Sequence, residues 1–214
     1  MSNYVVIDLE MCRVPKLKRE RYRCKNEIIE IGAVLLDGSL EIVDSFKSYV
    51  YPEYGVIDSF IQALTGISKR ETASAPKLND ALNMLFSWIP EGSLVVTWSE
   101  NDEFQIKKET DSKGIRTPEI DGLFENCIDC QVTFSEKMAS PKTYSLSEAL
   151  IIAGIDYDEG AHDALVDAHN TGLLFAKMMR ESELTLNPYY SNQQPPIAKY
   201  NPFADLLMSY KCTA

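Results

Sequence analysis

The sequence lacks long hydrophobic runs, and no apolar stretch reaches the roughly 18 residues that a membrane-spanning helix needs. The basic-then-apolar segment of a secretory leader is also missing, because "MSNYVVIDLE" enters a strand-like pattern at once. Cysteine is scarce: five scattered residues, an odd number, favour a reducing compartment over a disulfide framework. We therefore expect a cytoplasmic protein with no membrane segment.

Positive charge is scarce as well, since 21 Lys and Arg residues face 32 Asp and Glu residues and the net charge is −11. A protein that holds nucleic acid by electrostatic attraction alone is normally basic, which disfavours a histone-like or repressor-like role. An enzyme that handles phosphates through metal ions is not excluded, because clustered carboxylates then belong to its site. The exception is the basic segment "KLKRERYRCK", residues 16–25. It can be a solvated loop or a phosphate-contacting loop.

Apolar and β-branched runs predict strands at residues 4–9, 26–36, 40–52, 93–98 and 126–132. The Asp37-Gly38 pair predicts a hairpin turn between the second and third strands. Amphipathic or capped segments predict helices at 58–72 with a break at Gly66, and at 76–89, 101–114, 145–154 and 162–183. A hairpin followed by alternating strands and helices indicates an α/β domain with a mixed sheet.

The chain is long enough for one such domain, which we place at residues 1–184. From about residue 185 the sequence loses periodicity and gains Pro, Asn, Gln and Tyr. We expect residues 185–214 to form an irregular tail that packs on the domain or extends from it.

Two carboxylates, Asp8 and Glu10, come at the end of the first strand in "YVVIDLEM". Side chains alternate along a strand, so both acids face the same way and Leu9 faces the other way. Two adjacent buried carboxylates raise each other's pKa unless a cation lies between them. Hard divalent ions such as Mg²⁺ and Mn²⁺ prefer these oxygen ligands. Either the pair binds metal, or the strand simply ends there and both acids are solvated.

The segment "AHDALVDAH" opens the longest predicted helix. Asp167 can approach a site on the sheet, whereas Asp163 is better placed as the helix N-cap. His162 precedes the helix, where an imidazole beside carboxylates can act as a general base, although an isolated histidine is more often a surface residue. Small residues at helical spacing would let this helix pack closely on the sheet: Ala164, Ala168 and Gly172.

A third group of acids follows the fourth predicted strand in "TWSENDEF". Glu100, Asp102 and Glu103 are all candidates, because the strand ends of an α/β sheet are the usual place for a site. The alternative for each is an ordinary acid in the first turn of a helix, where the helix dipole favours it.

Taken in order, D-x-E on the first strand, an aspartate after a middle strand and H-x₄-D before the last helix resemble the DEDDh exonucleases. This RNase-H-like group includes polymerase proofreading domains, RNase T and oligoribonuclease. The segments "NEIIEIGAVLL" and "LTGIS" also match, and the resemblance covers about residues 3–180. Within the family the sequence looks most like the Eri-type branch, which includes KapD-like proteins described as sporulation inhibitors. The matching functional residues are Asp8, Glu10, Asp102, His162 and Asp167.

The resemblance implies an RNase-H-like mixed sheet flanked by helices and a phosphodiester hydrolase that uses two divalent ions, Mg²⁺ or Mn²⁺. It would shorten single-stranded nucleic acid from the 3′ end and release 5′-mononucleotides, with RNA favoured over DNA. Asp8 would bridge both ions, Glu10 and Asp167 would complete the first site, and Asp102 would hold the second ion. His162 would take the proton from the attacking water.

The same resemblance implies three contacts with the terminal nucleotide. Leu64 and Thr65 of "LTGIS" would line the pocket for the base, and Met11 would meet the sugar. Each of these residues can equally belong to the hydrophobic core.

Three other functions are compatible with the sequence. The chain could be a regulatory or binding protein of the sporulation-inhibitor type that uses an exonuclease fold, or a metal-dependent phosphatase that acts on free nucleotides. Cys127 and Cys130 form a lone C-x₂-C pair, which is weak support for a zinc site without a second pair of ligands.

Overall fold

The central strand of the fold, β1 (Tyr4–Arg13), is the strand that carries Asp8 and Glu10. The structure is a computed structural model, which describes residues 2–125, 127–157 and 162–191. β1 pairs with antiparallel β2 (Asn26–Leu36) on one side and with parallel β4 (Leu94–Thr97) on the other. β3 (Ile42–Tyr49) and β5 (Ile128–Asp129) complete the order β3-β2-β1-β4-β5. The predicted α/β architecture with a mixed sheet is confirmed.

Helices cover both faces of this sheet, and none in the described part of the chain is long and apolar enough to span a membrane. The first half of the chain contains α1 (Lys16–Tyr22), α2 (Ser59–Thr65), α3 (Lys69–Thr72), α4 (Leu78–Trp88) and α5 (Glu100–Lys113). The second half contains α6 (Pro118–Leu123), α7 (Cys130–Lys137), α8 (Leu146–Ala153), α9 (Ala164–Arg180) and α10 (Pro188–Ser191).

Alternation along β1 divides the core into two clusters. Val5, Ile7 and Leu9 pack on one face of the sheet with residues of α4, α5 and α6. Val6 packs on the other face with residues of α7, α8 and α9. Asp8 and Glu10 continue the Val6 side of the strand, so they lie on the face covered by α9.

The small-residue stripe of α9 brings this helix unusually close to the sheet, as the spacing predicted. A Cβ added to Gly32 of β2 would lie 2.2 Å from the carbonyl carbon of Ala164, at the first turn of the helix. Further along, a Cβ on Gly172 would lie 3.2 Å from Cγ2 of Val34. Because Gly32 pairs with Asp8 across the β1–β2 ladder, the first turn of α9 lies over the strand position that carries a candidate ligand.

Two local predictions are wrong. Residues 16–22 of the basic segment form α1, a helix, where a loop was expected. The predicted strand at 126–132 is reduced to the two residues of β5, and α7 begins at Cys130 because the Asp129 side chain caps it by accepting the Val132 N–H at 2.8 Å.

The described part of the C-terminal segment packs on the domain. Leu186 and Tyr190 contact the cluster on the α9 side of the sheet, and the Asn187 N–H donates to the Ile152 carbonyl at 2.8 Å. The rest of the predicted tail, residues 192–214, lies outside the described residues.

Candidate active site

The site begins where β1 extends beyond the end of its parallel neighbour, β4. The last β1–β4 pair is Ile7 with Thr97, whereas β2 continues to pair with β1 past Asp8 and Glu10. The backbone on the β4 side is therefore free to meet other groups at this point. Asp8 keeps some exposure to solvent and Glu10 is 7% exposed.

Asp102 lies beside the part of β1 with which β4 no longer pairs. α5 starts three residues after β4 ends, and the Asp102 carboxylate accepts the backbone N–H of Leu9. The other two acids of this segment lie elsewhere, because Glu100 is exposed and Glu103 forms an ion pair with Lys107 at 2.5 Å. Of the three candidate acids in this segment, therefore, Asp102 is the one that lies at the end of β1.

The first turn of α9 supplies the remaining groups. Asp163 is the N-cap, as predicted, and accepts the N–H groups of Leu165 and Val166 at 3.0 and 3.3 Å. His162 has a left-handed backbone, φ 72°, and its N–H donates to the Asp167 carboxylate at 3.1 Å. This turn aims the imidazole and the Asp167 carboxylate toward β1. Ligand atoms of Glu10, His162 and Asp167 lie within 4.8 Å of one another.

The carboxylates of the site resist ionisation. The pKa of Asp8 lies well above its usual range, first because burial disfavours the charged form and then because Asp102, Asp167, Glu10 and Glu30 are negative. Burial, followed by the charge of Asp167, raises the pKa of Glu10 to about 8.

Asp102 and Asp167 are shifted in the same direction. Burial raises the pKa of Asp102 to about 7, although the backbone hydrogen bond from Leu9 opposes the shift. Burial also raises the pKa of Asp167, against the hydrogen bond from the His162 N–H. Four neighbouring carboxylates with raised pKa values form a site that a cation would stabilise.

The donor set fits hard divalent ions. It consists of carboxylate oxygens with one imidazole, which suits Mg²⁺ or Mn²⁺. Among the described residues, none of Asp8, Glu10, Asp102 and Asp167 forms an ion pair with a lysine or arginine. Asp8 and Asp102 do not belong to the group formed by Glu10, His162 and Asp167, but the charge of Asp102 raises the pKa of Asp8.

Glu30 and Lys47 also belong to this region, although neither is among the site residues predicted from the sequence. Glu30 pairs with Glu10 across the ladder, is fully buried, and accepts the Ala164 N–H at 3.1 Å. Lys47 of β3 bridges Glu30 at 2.8 Å and Asp163 at 2.6 Å, and so ties the start of α9 to the sheet. A glutamate inside the apolar run "EIIEIGAV" was a clue to Glu30, but nothing local pointed to Lys47.

Replacing Lys47 by methionine should weaken the site without removing a candidate ligand. Glu30 would keep its buried charge with no cation beside it, which should lower the free energy of unfolding by about 2 kcal/mol and kcat by about tenfold. Urea unfolding and steady-state kinetics measure both. The matched control Lys77→Met breaks an exposed pair with Glu53 and should change neither by much. A Lys47→Met protein as stable and active as the wild type would contradict this role.

Gly32→Ala should separate α9 from the sheet. The new methyl group meets the Ala164 backbone, which cannot move aside as a side chain can, so we expect a loss of about 3 kcal/mol in unfolding free energy. Activity should fall with it, because α9 carries His162 and Asp167. Thermal unfolding is the readout, and Gly122→Ala is the control, since a Cβ there meets nothing within 4 Å. Equal unfolding temperatures for the two variants would rule out the close contact.

The three residues predicted to contact a nucleotide are less distinctive. Met11 is half-buried against the core, and Leu64 is half-buried at the end of α2. Thr65 is buried, and its hydroxyl donates to the Ile61 carbonyl and accepts the Ile67 N–H, so this side chain already has partners within α2 and the following turn. Their contacts with a substrate remain a prediction.

The alternative zinc site has little structural support. Cys127 Sγ lies 3.7 Å from the Thr97 hydroxyl, whereas Cys130 is fully buried in the first turn of α7. Burial raises the pKa of both thiols, to about 11 for Cys127. In the described part of the chain neither cysteine belongs to a group of three side chains able to hold a metal.

Comparisons with known proteins agree with this geometry. A Danio rerio protein called ERI1 exoribonuclease 2 is 33% identical over 84% of this chain, and the Drosophila melanogaster protein 3′-5′ exonuclease Snipper is 27% identical over 88% of it. The matches cover 35% and 75% of those proteins, respectively. The chain spans only about a third of the length of the relatives called ERI1 exoribonuclease 2.

The fold agrees with that of solved exonucleases. The nuclease domain of 3′hExo, described as a DEDDh family member bound to rAMP, superposes with a TM-score of 0.70 at 23% identity, covering 87% of this chain and 96% of that one. This similarity confirms the predicted RNase-H-like fold. The family described as Exonuclease matches residues 5–175, which include the D-x-E, Asp and H-x₄-D positions. The chain therefore belongs to the exonuclease family that its motifs predicted.

Proposed function

We propose that this chain is a metal-dependent exonuclease that hydrolyses single-stranded nucleic acid from the 3′ end to 5′-mononucleotides, with RNA favoured over DNA. The observation that carries the proposal is the convergence of four carboxylates and one imidazole at the end of β1, with no lysine or arginine paired to those four among the described residues. The neighbouring acids Glu30 and Asp163 do have a cation, Lys47, which sets them apart from the four candidate ligands.

Each acid has a distinct role under this proposal. Asp8 would contact both ions, Glu10 and Asp167 would complete one ion's ligands, and Asp102 would serve the other. Divalent ions bound there would stabilise the attacking and leaving oxygens of the phosphodiester. The Leu9 N–H and the His162 N–H hold Asp102 and Asp167 in fixed orientations, which limits the loss of side-chain entropy when ions bind.

His162 is the proposed general base. Its backbone is held by Asp167, and its ring nitrogen lies beside Glu10, so it can take a proton from a water that attacks the terminal phosphate. Met11, Leu64 and Thr65 are the proposed contacts of the terminal nucleotide, with Met11 directly following the acids on β1.

The preference for RNA is supported by the relatives, two of whose names describe exoribonucleases, ERI1 exoribonuclease 2 and 3′-5′ exoribonuclease 1. A working place in the cytoplasm is part of the same proposal. It rests on the odd, scattered cysteines of the sequence, of which the four described ones are free thiols.

The test is a time course with a 5′-labelled single-stranded RNA, its DNA counterpart and a free mononucleotide, all in Mn²⁺. The proposal predicts a ladder that shortens from the 3′ end, faster for RNA, with no release of phosphate from the mononucleotide. Phosphate release without shortening would identify a phosphatase. Intact oligonucleotides bound by the protein would favour the regulatory binder, as would full biological effect in Asp102→Ala and His162→Ala variants.

A further inference from the structure

The basic segment, residues 16–25, has no part in the proposed active site. Six of the chain's 21 lysines and arginines lie in residues 16–25, and Glu20 is the only acid among them. In the structure residues 16–22 form α1, on whose surface and C-terminal end the basic side chains are mostly exposed. We call this surface the α1 basic patch, made of Lys16, Lys18, Arg19, Arg21, Arg23 and Lys25.

The cations of the patch differ from most of the other described cations in lacking an acidic partner. Most of the others are neutralised by a neighbouring carboxylate: Lys47, Lys77, Lys107, Lys113, Arg116, Lys142, Lys177 and Arg180. In the patch, Lys18 and Arg19 donate only to the carbonyls of Tyr54 and Val14. Lys16, Arg21, Arg23 and Lys25 form no ion pair with any described residue. Six cations without an acidic partner among the described residues thus lie together on one surface of this acidic protein.

The helix that carries the patch is anchored to the domain by side-chain contacts, which favours binding over simple solvation. Tyr22, the buried residue of α1, stacks on Tyr54 with ring centroids 4.3 Å apart and planes 14° apart. Cys24 Sγ contacts the Lys108 carbonyl at 3.4 Å and the Ser112 hydroxyl at 3.1 Å, which fixes the end of α1 against α5. Charges held in place lose less entropy on binding a ligand than charges on a mobile loop.

A buried ionic network supports this attachment. Glu27 accepts the N–H groups of Glu53 and Tyr54 at 2.8 Å each, and Lys113 of α5 lies 2.8 Å from Glu27 and 3.0 Å from Glu109. The Lys113 ammonium also lies 5.8 Å from the centre of the Tyr22 ring, directly beneath α1. The network joins β2, the segment after β3 and α5 to the underside of the helix.

The position of the patch connects it with the candidate active site. α1 follows β1 in the chain, and only five residues lie between Glu10 and Lys16, a span of at most about 20 Å. α5 carries Asp102 in its first turn and contacts Cys24 at the other end of the patch. It also presents Phe104, which is 62% exposed and whose ring centre lies 5.2 Å from the Lys108 ammonium. Cations with an exposed aromatic ring are the usual components of a surface for single-stranded nucleic acid.

We propose that the α1 basic patch binds the phosphates of a single strand upstream of its 3′ end, while that end occupies the carboxylate site. This inference rests on the proposed function and gives the substrate a minimum length: the strand must be several nucleotides long to reach both places. The chain would then be acidic where metal ions bind and basic only where the substrate backbone passes.

The test compares a dinucleotide with a 12-mer RNA in the full chain, using the triple variant Lys16→Gln, Arg21→Gln, Lys25→Gln. Losing three phosphate contacts should raise the KM for the 12-mer about tenfold and reduce the slope of log KM against log salt by about 2. The KM for the dinucleotide, which is too short to reach the patch, should change less than twofold. The matched control Lys137→Gln, Lys142→Gln, Arg180→Gln removes three charges from the α7–α9 side of the sheet and should leave both KM values unchanged.

The outcomes separate this inference from the proposed function. A wild-type protein that shortens RNA, with equal 12-mer KM values in the patch and control variants, overturns the patch and leaves the exonuclease intact. Fluorescence anisotropy of the 12-mer with the Asp8→Asn protein gives a second readout that needs no turnover, and the patch changes should weaken that binding about tenfold. A third measurement compares the binding of the wild type and the patch variant to vesicles that contain anionic lipid. If the patch variant loses vesicle binding but keeps 12-mer binding, α1 is a membrane-contacting helix and the inference is wrong.

Discussion

An Asp8→Asn protein should lose at least about 10³-fold in kcat at saturating Mn²⁺, because ligand loss removes several kcal/mol of transition-state stabilisation. The same change should stabilise the metal-free protein. Burial and the charges of its neighbours raise the pKa of the Asp8 carboxyl well above its usual range, and a neutral amide removes the burial penalty and the repulsion together. A gain of about 1 kcal/mol would raise the unfolding temperature in EDTA by about 2–4 °C in a chain of this size.

Asp8→Asn is expected to lower activity but to raise the stability of the metal-free protein, and these opposite effects distinguish a metal ligand from a structural residue. If Asp8 only stabilised the fold, its substitution would lower both the activity and the stability of the protein. Mn²⁺ should raise the unfolding temperature of the wild type more than that of Asp8→Asn, because ions bind the folded state. Asp80→Asn removes an exposed acid from α4 and serves as the control. Near-normal turnover in Asp8→Asn, or a lower unfolding temperature in EDTA, would contradict the assignment of Asp8.

The second large effect concerns His162. Because its φ of 72° is left-handed, we choose asparagine, a polar residue that tolerates this backbone conformation better than most. His162→Asn should lower kcat by about 10²–10⁴, the usual contribution of a general base, with little change in KM. Single-turnover cleavage of a labelled RNA measures this loss.

A measurement of metal affinity distinguishes between two roles for His162, general base and metal ligand. Its ring nitrogen lies near Glu10 and Asp167, so the geometry also allows it to serve as a ligand. A general base predicts unchanged Mn²⁺ affinity by calorimetry in His162→Asn, with kcat alone reduced. Loss of Mn²⁺ affinity in proportion to kcat would make His162 a ligand instead and would remove the proposed base.

The sequence was most informative where one local pattern determines the structure. Alternation put Asp8 and Glu10 on one face of β1, and the small-residue stripe predicted that α9 lies against the sheet, where Gly32 meets the Ala164 backbone. The helix predicted at 145–154 is present as α8, and its first turn contains a capping box formed by Ser145 and Glu148.

The sequence was least informative where partners are distant. α1 has no apolar periodicity, and its helix is anchored by Tyr22 on Tyr54, 32 residues away in the chain. The bridge from Lys47 to Glu30 and Asp163 joins three separate elements and leaves no local pattern. At α7 the apolar run around Asp129 predicts a strand, but the Asp129 side chain caps a helix that begins at the next residue.

The central claim is that the carboxylates at the end of β1 form a metal-dependent exonuclease site. The most direct test is the rate at which chelator-treated wild-type protein shortens a 5′-labelled RNA as Mn²⁺ is added, beside Asp8→Asn and a sample in EDTA. The claim predicts no shortening in EDTA, a rate that rises and saturates with Mn²⁺ in the wild type, and almost none in Asp8→Asn. Equal rates in EDTA and in Mn²⁺, or equal rates in the two proteins, would contradict it.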